Sequence, residues 1–318
     1  MRARDLRHRI EYAVVLAVRA LVHVLPDALS RAFGTLIGLT FYAFDRGHRR
    51  LTIRQLRAAF PTRSDEECRA VARATFAHFG RLLVAVLRFS TLSEDEIRER
   101  VEFEGEDRMA AALARGRGAI LVTGHFGFWE IQGMAHPLVL PPMSVLARPL
   151  DNLHLHRLLE RTRCATGNKV IYRQGAVRRI LRALAANEVV GILIDQHIQP
   201  ADAVLVDFFN RPAATTAALA TIALRTGAPL VPGFALPLPG GRYRVVYEHP
   251  IEMPPADAPD PVRELTQRCT DVLEMYVRRH PQLWLWMHRR WRDVEPDAPM
   301  AGMFPSAAAD DTRESADS

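Results

Sequence analysis

Four short, almost wholly apolar runs punctuate the middle of the chain, over 119–123, 143–147, 170–172 and 189–194, and each has the length of a buried strand. Segments with helical periodicity lie between them, notably 152–166 and 176–187. This alternation of strand and helix predicts crossover connections, and so a mostly parallel sheet in an α/β fold. Two later runs, 230–236 and 242–247, are joined by Pro237-Leu238-Pro239-Gly240-Gly241 and predict a hairpin added to that sheet. A helix follows from Pro261 to Arg279.

The first fifty residues follow a different pattern. Apolar stretches at 10–25 and 33–44 are flanked by Arg2, Arg4, Arg7 and Arg9 before and by Arg46, Arg49 and Arg50 after. Glu11, Arg19 and His23 interrupt the first stretch and fall on one helical face. The second is shorter than the roughly 20 residues a spanning helix needs. An interfacial helix or shallow hairpin, with arginines at anionic head groups, fits this better than a clean span. Core packing of these helices and a cleaved signal peptide are the competing readings. From 51 to 104 the pattern is helical, with capping boxes from Ser64 to Glu67 and from Ser93 to Glu96. From Pro296 onward, Ala, Pro, Asp and Ser dominate and predict disorder. The chain thus divides into N-terminal membrane-associated helices (1–50), an α/β domain (51–297) and a disordered acidic tail (298–318).

Composition narrows the class. With 318 residues, 48% of them apolar, the chain can bury a large core, which excludes a disordered or fibrous protein. Cys68, Cys164 and Cys269 are odd in number and far apart, without the spacing of a zinc or redox site, and read as reduced thiols facing the cytosol. Seven acidic residues and one arginine lie from Asp293 to Ser318, so the formal charge of +6 becomes +12 over residues 1–292. Lys169 is the only lysine, and genome composition accounts for part of that bias. The charge fits an anionic partner such as a membrane face, a phosphorylated lipid or an acidic carrier protein. No nucleic-acid motif accompanies it.

Candidate chemistry gathers at strand ends. His125 stands two positions after the run 119–123, Arg148 directly after 143–147, and Asp195 directly after 189–194. In a parallel sheet these ends share one edge and can converge on one cleft. His125 offers a proton acceptor, and Glu130, five positions on, a carboxylate to orient it. Arg148 suits a substrate phosphate or a developing oxyanion, or else an ion pair with Asp151. Asp195 reads as a group that positions His125 or a substrate hydroxyl, or as a cap on the following turn. From Trp284 to Trp291 three tryptophans interleave with His288, Arg289 and Arg290, a composition that suits either core packing or an apolar-polar interface.

Other chemistries fail on spacing. No serine sits in Gly-x-Ser-x-Gly, Gly116-Arg117-Gly118 lacks the third glycine of a dinucleotide fingerprint, and no Gly-Lys-Ser or Gly-Lys-Thr closes a phosphate loop. His125 has no second histidine four residues on, so no metal is expected. A general base without a protein nucleophile remains, and the simplest chemistry for it is attack by a substrate hydroxyl on an activated acyl group.

The run Gly124-His125-Phe126-Gly127-Phe128-Trp129-Glu130 resembles the His-x-x-x-x-acid motif of the glycerolipid and lipid A acyltransferases, the late lipid A enzymes in particular. Further segments match that family in order: 147–152, 194–196, 207–209, 215–216, 226–229 and 284–291. The resemblance spans nearly the whole ordered chain. It implies an αβα sandwich on the cytoplasmic face of the inner membrane, and an acyl carrier protein or coenzyme A thioester as co-substrate, with no bound cofactor. It implies a hydroxyl of a lipid A precursor or similar glycolipid as acceptor. His125 and Glu130 are then the catalytic residues, and Arg148, Asp151 and Asp195 bind substrate. Phe128 stands where the family often has asparagine, and His197 follows Asp195-Gln196, a place where the family commonly has a second acidic or histidine-type residue. Acylation of a mannosylated, glycerol or amino-acid lipid, and an inactive membrane-binding homologue, are the alternatives.

Overall fold

Strand and helix alternate through the middle of the chain in the computed structural model, which describes residues 3–172, 174–198 and 203–292. Five helices come first: α1 (Ala3–Val24), α2 (Asp27–Phe44), α3 (Arg46–Ala59), α4 (Asp65–Phe89) and α5 (Glu94–Arg100). Next are β1 (Val101–Glu104), α6 (Glu106–Leu113), β2 (Ala119–Thr123), α7 (Trp129–Ala135), β3 (Met143–Ala147) and α8 (Leu153–Cys164). They are followed by β4 (Lys169–Tyr172), α9 (Ala176–Ala185), β5 (Val189–Leu193), β6 (Ala203–Asp207) and β7 (Pro212–Thr216). The described chain closes with α10 (Ala218–Thr226), β8 (Leu230–Pro237), β9 (Tyr243–Tyr247) and α11 (Pro261–Arg279).

Seven strands form one sheet in the order β1-β9-β8-β2-β5-β3-β4, parallel at every pairing except the β8–β9 hairpin. The central strands are apolar on both sides because both sides are covered. Ile120, Val122, Val190 and Ile192 join one core with α3, α9, α10 and α11. Ala119, Leu121, Val189 and Val231 join another with α5, α6 and α7. Both capping boxes form, with Ser64 and Ser93 each exchanging bonds with the glutamate three residues on.

Two parts of the sheet structure depart from the sequence pattern. Residues 101–104, expected at the end of a helical region, form β1, because β9 offers a parallel partner: Val101 faces Tyr243 and Glu104 faces Val246. β6 and β7 pair as a separate antiparallel ribbon, Ala203 opposite Thr216. Neither pairing leaves a periodic trace, since each strand is short and its partner supplies the backbone bonds.

The N-terminal helices pack on the fold through apolar residues, with Val15, Val18, Val22, Phe33 and Ile37 against Val84 and Leu87 of α4, and through polar contacts of α1. On α1, Glu11 accepts from Asn152 Nδ2 at 2.9 Å, Arg19 Nε donates to Ser90 Oγ at 2.9 Å, and His23 Nδ1 lies 3.0 Å from Thr91 Oγ1. Leu6, Ile10, Val14 and Leu21 face outward and are exposed. α2 buries Ser30, Gly34 and Gly38 against α4, and a Cβ on Gly38 would stand 2.0 Å from the Phe76 carbonyl oxygen. Small residues thus let two helix backbones meet, while Leu29, Leu36, Phe41 and Phe44 are exposed. Among the described helices α4 alone is long and apolar enough to cross a membrane, yet 56% of that apolar window is buried within the fold. The acidic tail expected at 298–318 lies outside the described residues.

Candidate active site

Parallel register brings His125 to Asp195. Thr123 closes the β2 ladder opposite Leu193 of β5, and each of the two residues lies two positions beyond, so their backbones leave the sheet side by side. Ile194 N–H still donates to Thr123 O at 3.1 Å, which carries the pairing past the ladder. Asp195 Oδ1 lies 2.8 Å from His125 Nδ1, and Oδ2 accepts the His125 backbone N–H at 2.7 Å. Oδ2 also accepts the Trp284 indole N–H at 2.8 Å. Gly124 leaves room for this, since a Cβ there would stand 3.0 Å from Asp195 Oδ2.

The loop from Gly124 to Phe128 is strapped on both sides. Leu285 N–H donates to His125 O at 3.1 Å, Gly127 N–H to Leu283 O at 2.9 Å, and Phe128 N–H to Ala235 O at 2.9 Å. Gly127 has φ +60°, and a Cβ there would fall 2.0 Å from the Ala235 oxygen. His78 Nε2 donates to Gly127 O at 3.0 Å from the far side.

Charge then fixes the tautomer. The Asp195 side chain is 2% exposed and the His125 imidazole 20%. Burial alone would disfavour the charged ring, but the charge and hydrogen bond of Asp195, with added charge from Glu130, outweigh it and raise the His125 pKa above its ordinary value. Burial likewise opposes ionisation of Asp195, and the charge of His125 with its hydrogen-bond donors overcomes this and holds the carboxyl below its usual range. In the neutral ring, Nδ1–H donates to the carboxylate and leaves the lone pair on Nε2, 3.3 Å from the Gln196 amide nitrogen. Trp129 stands edge-on to the imidazole at 5.2 Å.

Glu130 is placed otherwise than expected. Both its oxygens engage Arg163 of α8: Nε donates to Oε2 at 2.9 Å and Nη2 donates to Oε1. The orienting hydrogen bond assigned to Glu130 therefore belongs to Asp195, and Glu130 reaches the ring through its charge alone. Arg148 leaves β3 on the same edge as Asp195, since Val145 stands opposite Gly191 of β5. Arg148 and Asp151 are exposed, and among the described residues no ion pair joins them. The buried residue of that segment is Asn152, which caps α8 through His154 N–H at 3.0 Å and donates to His8 O at 2.9 Å on α1.

Trp284 and Trp286 are core residues, 1% and 0% exposed, so the interface reading of that segment gives way to packing around Phe208. Arg290 beside them is 1% exposed. It donates to Ala214 O at 2.6 Å and to Thr215 Oγ1, and burial depresses its pKa to about 10 despite the charge of Asp195. Neither Arg163 nor the indole of Trp284 carried a sequence signal for its role, because each partner lies tens of residues away. Among the described residues no group of three His, Cys, Asp or Glu side chains is gathered as metal ligands would be.

A buried carboxylate that holds an imidazole at Nδ1 and leaves the lone pair on Nε2 is an arrangement that can accept a proton. The chain belongs to the bacterial lipid A biosynthesis acyltransferase family, whose model matches residues 1–293. It is similar to the lipid A biosynthesis lauroyltransferase of Escherichia coli (strain K12), 26% identical over 279 residues, 87% of this chain and 90% of that one. The lipid A biosynthesis palmitoleoyltransferase of the same organism is 25% identical over 270 residues, 84% of this chain and 86% of that one. The phosphatidylinositol mannoside acyltransferase of Mycolicibacterium smegmatis is 24% identical over 276 residues, 85% of this chain and 88% of that one.

Proposed function

We propose that this acyltransferase moves a fatty acyl group from an acyl carrier protein or coenzyme A thioester to a hydroxyl of a lipid A precursor or similar glycolipid. The observation that carries the reading is the His125–Asp195 pair, with Nδ1 held by a carboxylate and Nε2 left as acceptor. The acceptor O–H gives its proton to Nε2 as its oxygen attacks the thioester carbonyl carbon. The C–S bond then breaks, and the leaving thiolate takes the proton back from the imidazolium. Asp195 stabilises that imidazolium without becoming the base, as the acid of a triad does. The Glu130–Arg163 pair joins α7 to α8 beside the base, and its two charges act on the ring in opposite directions, Glu130 favouring the imidazolium and Arg163 opposing it. Arg148 and Asp151 are assigned to a polar or phosphorylated acceptor, and their exposure supports this.

The outward apolar faces of α1 and α2 support work at a membrane, with the helices lying in the interface and the thioester arriving from the cytoplasmic side of the inner membrane. The similarity to a mannoside acyltransferase, at an identity close to that of the lipid A enzymes, favours a second reading in which the acceptor is a mannosylated lipid.

Purified protein incubated with acyl carrier thioester and extracted lipid should acylate one lipid fraction, whose identity names the acceptor. His125→Ala should lower turnover by about 10²–10⁴-fold with little change in KM. A variant with near-wild-type turnover would remove His125 from the reaction, and no transfer to any fraction would favour a membrane-binding protein without activity.

A further inference from the structure

A cavity separate from the His125 site opens between α2, α4, the end of α5 and the β8–β9 connection, and five arginines line it: Arg31, Arg81, Arg88, Arg100 and Arg242. None of His125, Glu130, Arg163, Asp195 or Gln196 lines it. Phe128 does, and its ring packs on His78 at 5.0 Å and Tyr243 at 4.5 Å, an aromatic wall on one side of the cavity.

Two of the five charges are matched by carboxylates. Arg88 Nη2 lies 2.8 Å from Asp27 Oδ1, and Arg242 pairs with Glu102. Arg81 donates to the Thr35 hydroxyl at 3.2 Å and Arg100 to the Glu96 carbonyl oxygen at 2.7 Å, both neutral acceptors. Arg31 lies against Gly241, where a Cβ would strike its Nη1. Three guanidinium nitrogens of this set are buried without a hydrogen-bond acceptor: Arg31 Nη1, Arg88 Nε and Arg100 Nε. A buried donor without an acceptor is costly, and a charged one more so. Burial lowers the Arg81 pKa, and Tyr243, not a carboxylate, is the neighbour that opposes this.

We propose that this pocket binds a phosphate group, with the guanidinium donors and the Tyr243 hydroxyl as its ligating groups and an anionic phospholipid headgroup as its source. Guanidinium forks match phosphate oxygens in charge and geometry, and several forks entering from different helices suit a multiply charged tetrahedral anion better than a planar carboxylate. The pocket stands on the arginines alone, and only the lipid source rests on the membrane association proposed above. That source follows from position: Asp27, Ser30 and Arg31 of the wall lie on the first turns of α2, directly after the α1–α2 turn, where Val24 and Leu29 are 75% and 54% exposed. A headgroup held there would fix the orientation of the N-terminal helices on an anionic leaflet, independently of the acceptor bound near His125.

The test uses the full chain with two probes, inorganic phosphate followed by thermal melting, and flotation with phosphatidylcholine vesicles with or without phosphatidic acid. Wild type should be stabilised by phosphate beyond chloride at equal ionic strength, and Arg31→Gln and Arg81→Gln should each weaken that response roughly tenfold. Arg31→Lys should restore it in part. If the variants also lose their preference for phosphatidic acid vesicles, the headgroup is the source. If only the inorganic phosphate response depends on the arginines, the pocket stands with a soluble phosphate ligand and the lipid source is wrong. Folded variants that match wild type with both probes overturn the pocket. Should the variants fail to fold, a wild-type protein that responds alike to phosphate and chloride, and to both vesicle types, overturns it equally. His125→Ala should bind as wild type does, which separates this result from any failure of the catalytic reading.

Discussion

The Asp195 carboxylate holds His125 at two points, accepting its backbone N–H at 2.7 Å through Oδ2 and facing its Nδ1 at 2.8 Å through Oδ1. The grip fixes both the ring's tautomer and the loop that carries it.

Asp195→Asn removes the charge that raises the His125 pKa but keeps most of the shape. In the proposed role of base His125 works in its neutral form, so the low-pH limb of kcat/KM should lie above 6.5 in wild type and move down in pH in the variant, with a lower plateau. Glu130→Gln removes charge that reaches the ring without a hydrogen bond, so its limb should move much less. Equal shifts in the two pH profiles would return the orienting role to Glu130.

Gly127→Ala tests the strap. The residue must hold φ +60° with its Cα against the Ala235 carbonyl oxygen, 2.0 Å from where a Cβ would be. The left-handed backbone alone costs about 1–2 kcal/mol, and relief of the clash requires the loop to leave β8. A lowered urea midpoint and lost transfer activity are expected with His125 intact. Wild-type values for both would show that the loop is not held as described.

Acid should destabilise the fold through two buried histidines. Burial lowers the pKa of His78 to about 3 and that of His136 to about 4, and both sit as neutral rings, His136 between the Tyr247 hydroxyl and the Pro141 carbonyl oxygen. Because the unfolded chain protonates them near 6.5, stability should fall as pH drops from 6.5 toward 4, by about 1.4 kcal/mol per unit for each. His125 acts in the opposite sense: its contribution is full below 6.5 and is lost as pH rises through its raised folded value. Urea unfolding across this range should show a slope that His78→Gln reduces by about half. An unchanged slope would mean that His78 is protonated in the fold.

Leu36→Glu with Phe44→Glu tests the outward face of α2, where these side chains are 62% and 82% exposed. Each is worth about 1.5–3 kcal/mol when fully withdrawn from water, so vesicle binding should weaken at least roughly tenfold while the circular dichroism spectrum holds. Undiminished flotation would place the membrane contact elsewhere.

Much of the architecture was legible because it follows from local patterns. The apolar runs at 119–123 and 143–147 became β2 and β3 with the same bounds, the Pro-Gly connection made a hairpin, and both capping boxes closed. The ordered motifs identified the family, which the match over 1–293 then showed. β1 and the β6–β7 ribbon were not legible, since strands of four or five residues take their identity from a distant partner. Proximity along the chain also misdirected the choice of orienting acid. Glu130 is five residues from His125 but faces Arg163, whereas Asp195 is 70 residues away and one strand across.

The sequence by itself determined the strand-helix alternation, the candidate base and the three strand ends from which polar residues could converge. Hydrophobic periodicity and turn chemistry are local, and they act on whatever chain carries them. Only the tertiary structure decided which acid holds His125 and which way α1 and α2 face. Both depend on parallel register and on helix contacts between residues far apart in the chain, where the physical partner of a side chain is set by packing and not by spacing.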